Sequence, residues 1–296
     1  MPREGFRRLG ALLRMSRPFV IMVGVLANIV GLAMADCYLG GIDLGVAALG
    51  MSIMVLAIAM GHYADEYSDV DTDSITRRTR YSGGSGVLPS GILKPIAALR
   101  AAEVCGIAAL LLTILAIVSD LLSWTYLWML LLGLVLGLAY SMRPIALERR
   151  GLGELTNAFL GGYLMVLSGY LPQAGELGIP QLLACFPIFL AVWINLIGVH
   201  WADREADAAV GKRTLVVIMG ASSLRLYPVL VLLLYLSTGL LRIAGVIPAG
   251  VFLGIAITLP LAIFSYWHFL VSQRPDAPSA FMAVLMVLTA LGYLLG

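Results

Sequence analysis

The chain has 296 residues, of which 60% are hydrophobic and only 12% charged, and its mean hydropathy is +0.96. A water-soluble globule cannot cover its surface with so few charges, so lipid is the main solvent. The net charge of +2 is too small to mark a nucleic-acid partner, and Cys37, Cys105 and Cys185 stand singly, without CxxC or Cys/His spacing, which reads them as packing residues.

The first 17 residues carry five arginines and no short apolar stretch ending in a cleavage site, so they read as a cytoplasmic, interfacial lead-in (1–17) rather than a removable signal. Crossing a hydrocarbon core of about 30 Å takes about 20 helical residues. Apolar runs of that order lie near 18–36, 44–62, 94–119, 121–142, 153–172, 180–199, 222–242, 246–272 and 278–295. The fold class expected is all-α, a polytopic membrane protein of about nine transmembrane helices forming a single domain, 1–296. With nine spans, 18 of the 19 Lys and Arg residues fall on the side of the N-terminus and only Arg242 on the other. Positive residues beside spans resist translocation, which puts the N-terminus in the cytoplasm.

The acids cluster as well. Asp65, Glu66, Asp69, Asp71 and Asp73 share one segment, and Asp203, Glu205 and Asp207 another; together they are eight of the 17 acids. Both segments follow even-numbered spans and so emerge on one face. In HYADEYSDVDTD, the spacing of Asp65, Asp69 and Asp73 makes one stripe about 12 Å long if the second span stays helical past Tyr63. In VHWADREADAAVGKRTL, Asp203 and Asp207 repeat the i, i+4 spacing. Like charges at that spacing destabilise a helix unless a cation compensates them. Mg²⁺ takes one or two carboxylates together with substrate phosphates, so two facing carboxylate stripes suit a metal-bridged diphosphate. Solvated, charged span ends are the plainer alternative.

Basic segments follow each stripe. RRTRYSGGSGVLPSG contributes Arg78, Arg80 and Ser85 on a glycine-rich backbone able to approach phosphate. Lys212 and Arg213 follow the second stripe, and serve either phosphate or the positive-inside rule. The loop after span four, AYSMRPIALERRGLGEL, brings Tyr140, Arg149 and Arg150 to the same side. Tyr140 is either an interfacial anchor or part of a chamber wall.

These residues resemble the UbiA superfamily of intramembrane prenyltransferases, and the likeness runs through most of the chain. The family's NDxxDxxxD signature aligns with DEYSDVDTD, with Asp65 in the Asn place, Glu66 in the first Asp place, and Asp69 and Asp73 matching. Its DxxxD signature is matched by Asp203 and Asp207. Supporting similarities are Arg17-Pro18, the GGSGVLPSG loop, Tyr140-Ser141 with Pro144, the run from Arg150 to Glu154, and Gly211 to Leu215. The GGSG loop and RGLGE are most similar to the branch that prenylates 1,4-dihydroxy-2-naphthoate in menaquinone synthesis. The chain departs from the pattern at Asp65, which adds a negative charge; at Gly86, where relatives often carry Arg; and at His200, where a relative often has Asn.

The resemblance implies a central, lipid-accessible cavity that takes the tail of a polyprenyl diphosphate, with its head on Mg²⁺ held by Asp65, Asp69, Asp73, Asp203 and Asp207. It implies diphosphate contacts from Arg78, Arg80, Ser85, Arg149, Arg150, Lys212 and Arg213. Tyr140, Tyr163 and Trp201 are the candidate aromatic faces for an allylic cation, and Glu66 and His200 are candidates for the acceptor or a secondary role; His200 equally replaces an Asn ligand or caps its helix. The expected reaction is transfer of the prenyl group to an aromatic acceptor in a prokaryotic cell membrane, on the cytoplasmic side. The rivals are a terpene cyclase on the same scaffold, which would yield a cyclic product without acceptor, and a transporter, which the placement of the acids at span ends rather than midplane disfavours.

Overall fold

A computed structural model describes residues 2–75 and 84–296, and every regular element among them is helical. A basic, amphipathic helix α1 (Pro2–Met15) comes first. Arg17 turns the chain in a left-handed conformation (φ 51°), and Pro18, with no N–H to leave unpaired, opens α2 (Pro18–Leu39). The Asp43 carboxylate accepts the N–H groups of Gly45 and Val46 to start α3 (Leu44–Ser68), which a short α4 (Val70–Ile75) follows. Helices α5 (Pro95–Val118) and α6 (Trp124–Ser141) form the next hairpin.

The second half runs through α7 (Gly153–Phe159), α8 (Met165–Ala174), α9 (Ile179–Ala184), α10 (Phe186–Ala209), α11 (Leu215–Met219), α12 (Ser223–Ile243), α13 (Ala249–Ala256), α14 (Leu259–Ser272) and α15 (Asp276–Leu295). Among the described residues, eight stretches are long and apolar enough to cross a membrane: α2, α3, α5, α6, α9 with α10, α11 with α12, α13 with α14, and α15. The span expected at 153–172 is the exception. Its helix is interrupted by a π turn at Leu160–Leu164, so α7, the turn and α8 are pieces of seven, five and ten residues in unbroken succession. At 1.5 Å per residue that rod is about 33 Å long, enough to reach across hydrocarbon.

Large apolar side chains such as Leu111, Val118, Val135, Leu232, Ile257 and Trp267 are exposed around the bundle. On a surface facing water they would be a liability, but facing lipid they are the solvated state. The chain is an integral membrane protein. One buried cluster joins α2, α8, α10, α12, α13, α14 and α15, and a second joins α1, α3, α5 and α6.

Helices α2 and α8 approach closely because Gly31 lies on the Val166 carbonyl, where a Cβ would overlap it, and Gly169 lies on that of Asn28. Inside the same contact the Asn28 amide donates to Ser168 Oγ at 2.9 Å. Between the two clusters lies a cavity of about 450 Å³ with walls from α2, α3, α6, α8, α10 and α15. It follows α6 from Tyr140 to Tyr126, a helical path of about 21 Å.

Candidate active site

Both aspartate segments are continuations of spanning helices, and both lead into this cavity. Helix α3 keeps its pattern past Tyr63 as expected. Asp69 leaves the helical conformation, yet its N–H donates to the Asp65 carbonyl at 2.9 Å and its own carbonyl accepts the Asp73 N–H at 2.8 Å, so the stripe survives the bend. Helix α10 runs well past residue 199 and carries Asp203 and Asp207 on its last turns. All five aspartates line the cavity, with Glu148, Lys212, Tyr140 and His200.

The charges interlock across elements far apart in sequence. Lys212 Nζ lies 2.7 Å from Asp69, 2.6 Å from Glu148 and 3.9 Å from Asp207. Arg149 approaches Asp69 at 3.6 Å, and Arg17 meets Asp65 at 3.0 Å and Glu66 at 3.1 Å. Burial alone would favour neutral Lys212, but Asp69 and Glu148 outweigh it and hold the ammonium well above its ordinary pKa. Arg17 is raised in the same way, burial being overcome by Asp65 and Glu66. Burial pushes the Glu148 carboxyl well up, with Asp69 adding repulsion and Lys212 opposing. The Asp73 carboxyl is pushed up to about 7, chiefly by burial, with Arg17 pulling against it and Asp65, Asp69 and Glu66 reinforcing.

Oxygens of Asp65, Asp69 and Glu148 lie within 4.8 Å of one another. Such all-oxygen donor sets suit hard divalent cations. Sequence reasoning missed Glu148. It belongs to a 3-10 turn, Leu147–Arg150, that points it inward at 0% exposure, Arg149 toward Asp69, and Arg150 outward to the Pro144 carbonyl at 2.8 Å. Arg150 is exposed and does not line the cavity. Neither does Arg213, because the backbone after Gly211 alternates: Lys212 and Thr214 are buried and Arg213 between them is exposed. Arg78 and Arg80 lie outside the described residues.

Glu66 and Ser85 face one another rather than the cavity. The Ser85 N–H and hydroxyl both donate to the Glu66 carboxylate, at 2.7 and 2.6 Å. Together with Arg17 on the same carboxylate, this pins the end of the glycine-rich loop to α3. Gly84, at φ +64°, lies directly on the Asp73 carboxylate, where any side chain would overlap it.

Two expected aromatic faces are turned away. Trp201 is buried against Phe269 at 6.5 Å, with the Arg204 guanidinium 4.2 Å over its ring. Since neighbouring residues on a helix are about 100° apart, the His200 that faces the cavity sends Trp201 to the side. Tyr163 packs on Phe159 and Phe189 at 5.4 and 5.6 Å. Among the described residues, the Phe and Tyr rings on the cavity wall are those of Tyr140, Tyr126 and Phe19.

A second pairing lies behind α10. Glu154, 0% exposed, accepts the N–H groups of Leu215 at 3.0 Å and Val216 at 3.2 Å and approaches His200 Nδ1 at 2.9 Å. Thr214 caps the same turn through the Val217 N–H, so the segment bearing Lys212 is anchored from both sides.

The model of the UbiA prenyltransferase family matches residues 14–291. The 1,4-dihydroxy-2-naphthoate octaprenyltransferase of Bacillus subtilis is 26% identical over 210 residues, which are 70% of this chain and 65% of that protein; the match thus spans slightly less than two thirds of the relative's length. A UbiA homolog from Archaeoglobus fulgidus, solved bound to DMAPP and Mg²⁺, superposes with a TM-score of 0.70 at 16% identity, covering 96% of this chain and 98% of that one. A digeranylgeranylglyceryl phosphate synthase structure gives a TM-score of 0.68 at 20% identity, covering 97% and 98%. The likeness of fold extends over nearly the whole chain, and the family match includes both aspartate segments: this protein belongs to the UbiA prenyltransferase family.

Proposed function

We propose that the protein transfers a polyprenyl group from a prenyl diphosphate to an aromatic acceptor within the membrane, with 1,4-dihydroxy-2-naphthoate as the leading acceptor and the site on the cytoplasmic face of a prokaryotic cell membrane. The carrying observation is that two aspartate stripes on separate helices, α3 with α4 and α10, meet at the head of one largely apolar cavity. The relatives of known shape and name, one bound to DMAPP and Mg²⁺ and one a naphthoate octaprenyltransferase, support the same reading.

Asp65, Asp69, Asp73, Asp203 and Asp207 would hold Mg²⁺, with Glu148 added to the first group, and the ion would supply charge neutralisation that makes diphosphate a better leaving group. Lys212 and Arg149 bind diphosphate oxygens, since both are cations already directed at Asp69. Arg17 fixes the orientation of Asp65, and the Glu66–Ser85 clamp fixes the loop that covers Asp73. Tyr140 presents its ring at the head of the cavity, where positive charge develops on the prenyl C1. The apolar wall below it excludes water from that carbon. The tail runs down α6 past Gly137, Gly133 and Leu130 toward Tyr126.

The test is purified protein in detergent with Mg²⁺, geranylgeranyl or longer diphosphate, and dihydroxynaphthoate, hydroxybenzoate and homogentisate in parallel, with products read by mass spectrometry. A prenylated aromatic is expected, and Asp69→Ala or Asp203→Ala should each abolish it while the protein still elutes as a single species. A cyclic hydrocarbon formed without acceptor, or wild-type rates in either variant, would overturn the assignment.

A further inference from the structure

The two aspartate segments open with the same pattern. His62-Tyr63-Ala64-Asp65 leads to Asp69, and His200-Trp201-Ala202-Asp203 leads to Asp207, so His-aromatic-Ala-Asp-x-x-x-Asp occurs at the ends of both α3 and α10. Three residues back along a helix is nearly the same face and about 4.5 Å deeper. Each histidine therefore sits one turn below the first aspartate of its stripe, on the side of the cavity floor, and both line the cavity.

Their partners differ. Glu154 is completely buried, and among the described residues its one charged partner is His200, 2.9 Å away at Nδ1. A buried carboxylate is stabilised by a cationic neighbour, and the His200 ring, with Nδ1 2.9 Å from Glu154, also lines the cavity; as imidazolium it has a second N–H to donate. His62 has no carboxylate partner among the described residues, and its buried Nε2 has no hydrogen-bond partner there. An unpartnered buried ring nitrogen on a cavity wall has hydrogen-bonding capacity to offer a ligand atom. Below His200, Asn195 accepts from the Ser279 hydroxyl at 2.8 Å and extends the polar wall, while Val23, Met54, Ile58, Leu164 and Leu196 supply apolar surface.

We infer that His200 and His62 form the acceptor subsite and select an aromatic bearing both an acidic group and a hydroxyl, His200 donating to the acidic group and His62 meeting the hydroxyl. This rests on the prenyl-transfer reading above and assigns the recognition of its second substrate to two residues. The diphosphate belongs one turn further out, where Lys212 and the aspartates are. The acceptor ring then lies directly beneath the leaving group, as attack on C1 requires.

The test is equilibrium binding of 1,4-dihydroxy-2-naphthoate, its methyl ester and its 1,4-dimethoxy analogue to the full-length protein in detergent, with Mg²⁺ and inorganic diphosphate present, by titration calorimetry. Wild type should bind the acid about tenfold or more tightly than the ester, the worth of one charge-assisted hydrogen bond. His200→Gln and Glu154→Gln should bind acid and ester alike, and His62→Phe should bind the dihydroxy and dimethoxy acids alike, each variant being checked for a monodisperse elution profile. Should Glu154→Gln not fold, His200→Gln alone decides. Equal binding of acid and ester by wild type, or an undiminished preference in His200→Gln, overturns the inference. Acid preference lost in His200→Gln, but without prenyl transfer to any acceptor in the mass-spectrometric assay, upholds the subsite and overturns the proposed reaction instead.

Discussion

Lys212 reaches Asp69 and Glu148 at under 3 Å from a position that is itself buried, and these ion pairs govern how the site tolerates its own acids. Removing one partner of a buried pair leaves the other uncompensated, which costs about 3–5 kcal/mol. Lys212→Met is expected to lower the melting temperature in detergent without divalent ions, and added Mg²⁺ should raise it by more than it raises wild type, because the same carboxylates then gain a cation. An unchanged melting temperature would mean that these ion pairs contribute nothing to the fold. The aspartates were legible in the sequence because i, i+4 spacing on a helix projects directly onto one face. Glu148 was not: a single acid in a basic loop has no periodicity, and its inward direction is set by a 3-10 turn. Lys212 and Arg213 were equivalent by composition, and the alternation of the backbone separates them. Trp201 and Tyr163 have the aromatic character expected of a cation-facing wall, but rotation about the helix axis decides which neighbour faces a cavity.

At the level of elements, the apolar runs located the spans, while their ends ran further than hydropathy indicated. Helices α3 and α10 extend through polar residues because their acids find cations and their backbone bonds continue, a tertiary effect that a hydropathy window does not contain. The π turn at Leu160–Leu164 has no signature in the apolar run around it. The contact of α2 with α8 depends on glycine where backbones nearly touch, so Gly31→Leu forces overpacking that costs about 3 kcal/mol or more. A lower melting temperature in a fluorescence-detected elution assay is the expected result, with Leu13→Ala on the exposed face of α1 as an unaffected comparison. Tyr126 is buried at the far end of the cavity, its hydroxyl donating to the Gly50 carbonyl at 3.3 Å. Tyr126→Ala opens that end, and competition between prenyl diphosphates of different length should shift toward longer chains; an unshifted ratio would show that the tail leaves the bundle before reaching it.

For the whole molecule, composition and the one-sided placement of Lys and Arg indicated the class of protein before any motif was considered, because lipid and translocation act on the chain as a whole. The convergence of the two acidic segments was legible only as a shared side of the membrane. That they enter one cavity, together with Lys212 and Glu148, follows from how the two helical clusters pack. The direct test is equilibrium binding of a radiolabelled, non-reacting prenyl thiodiphosphate to the purified protein with and without Mg²⁺. Binding should require Mg²⁺ and be lost in both Asp69→Ala and Asp203→Ala, one from each segment. Full binding without a divalent ion, or in either variant, would contradict a diphosphate held jointly by the two stripes.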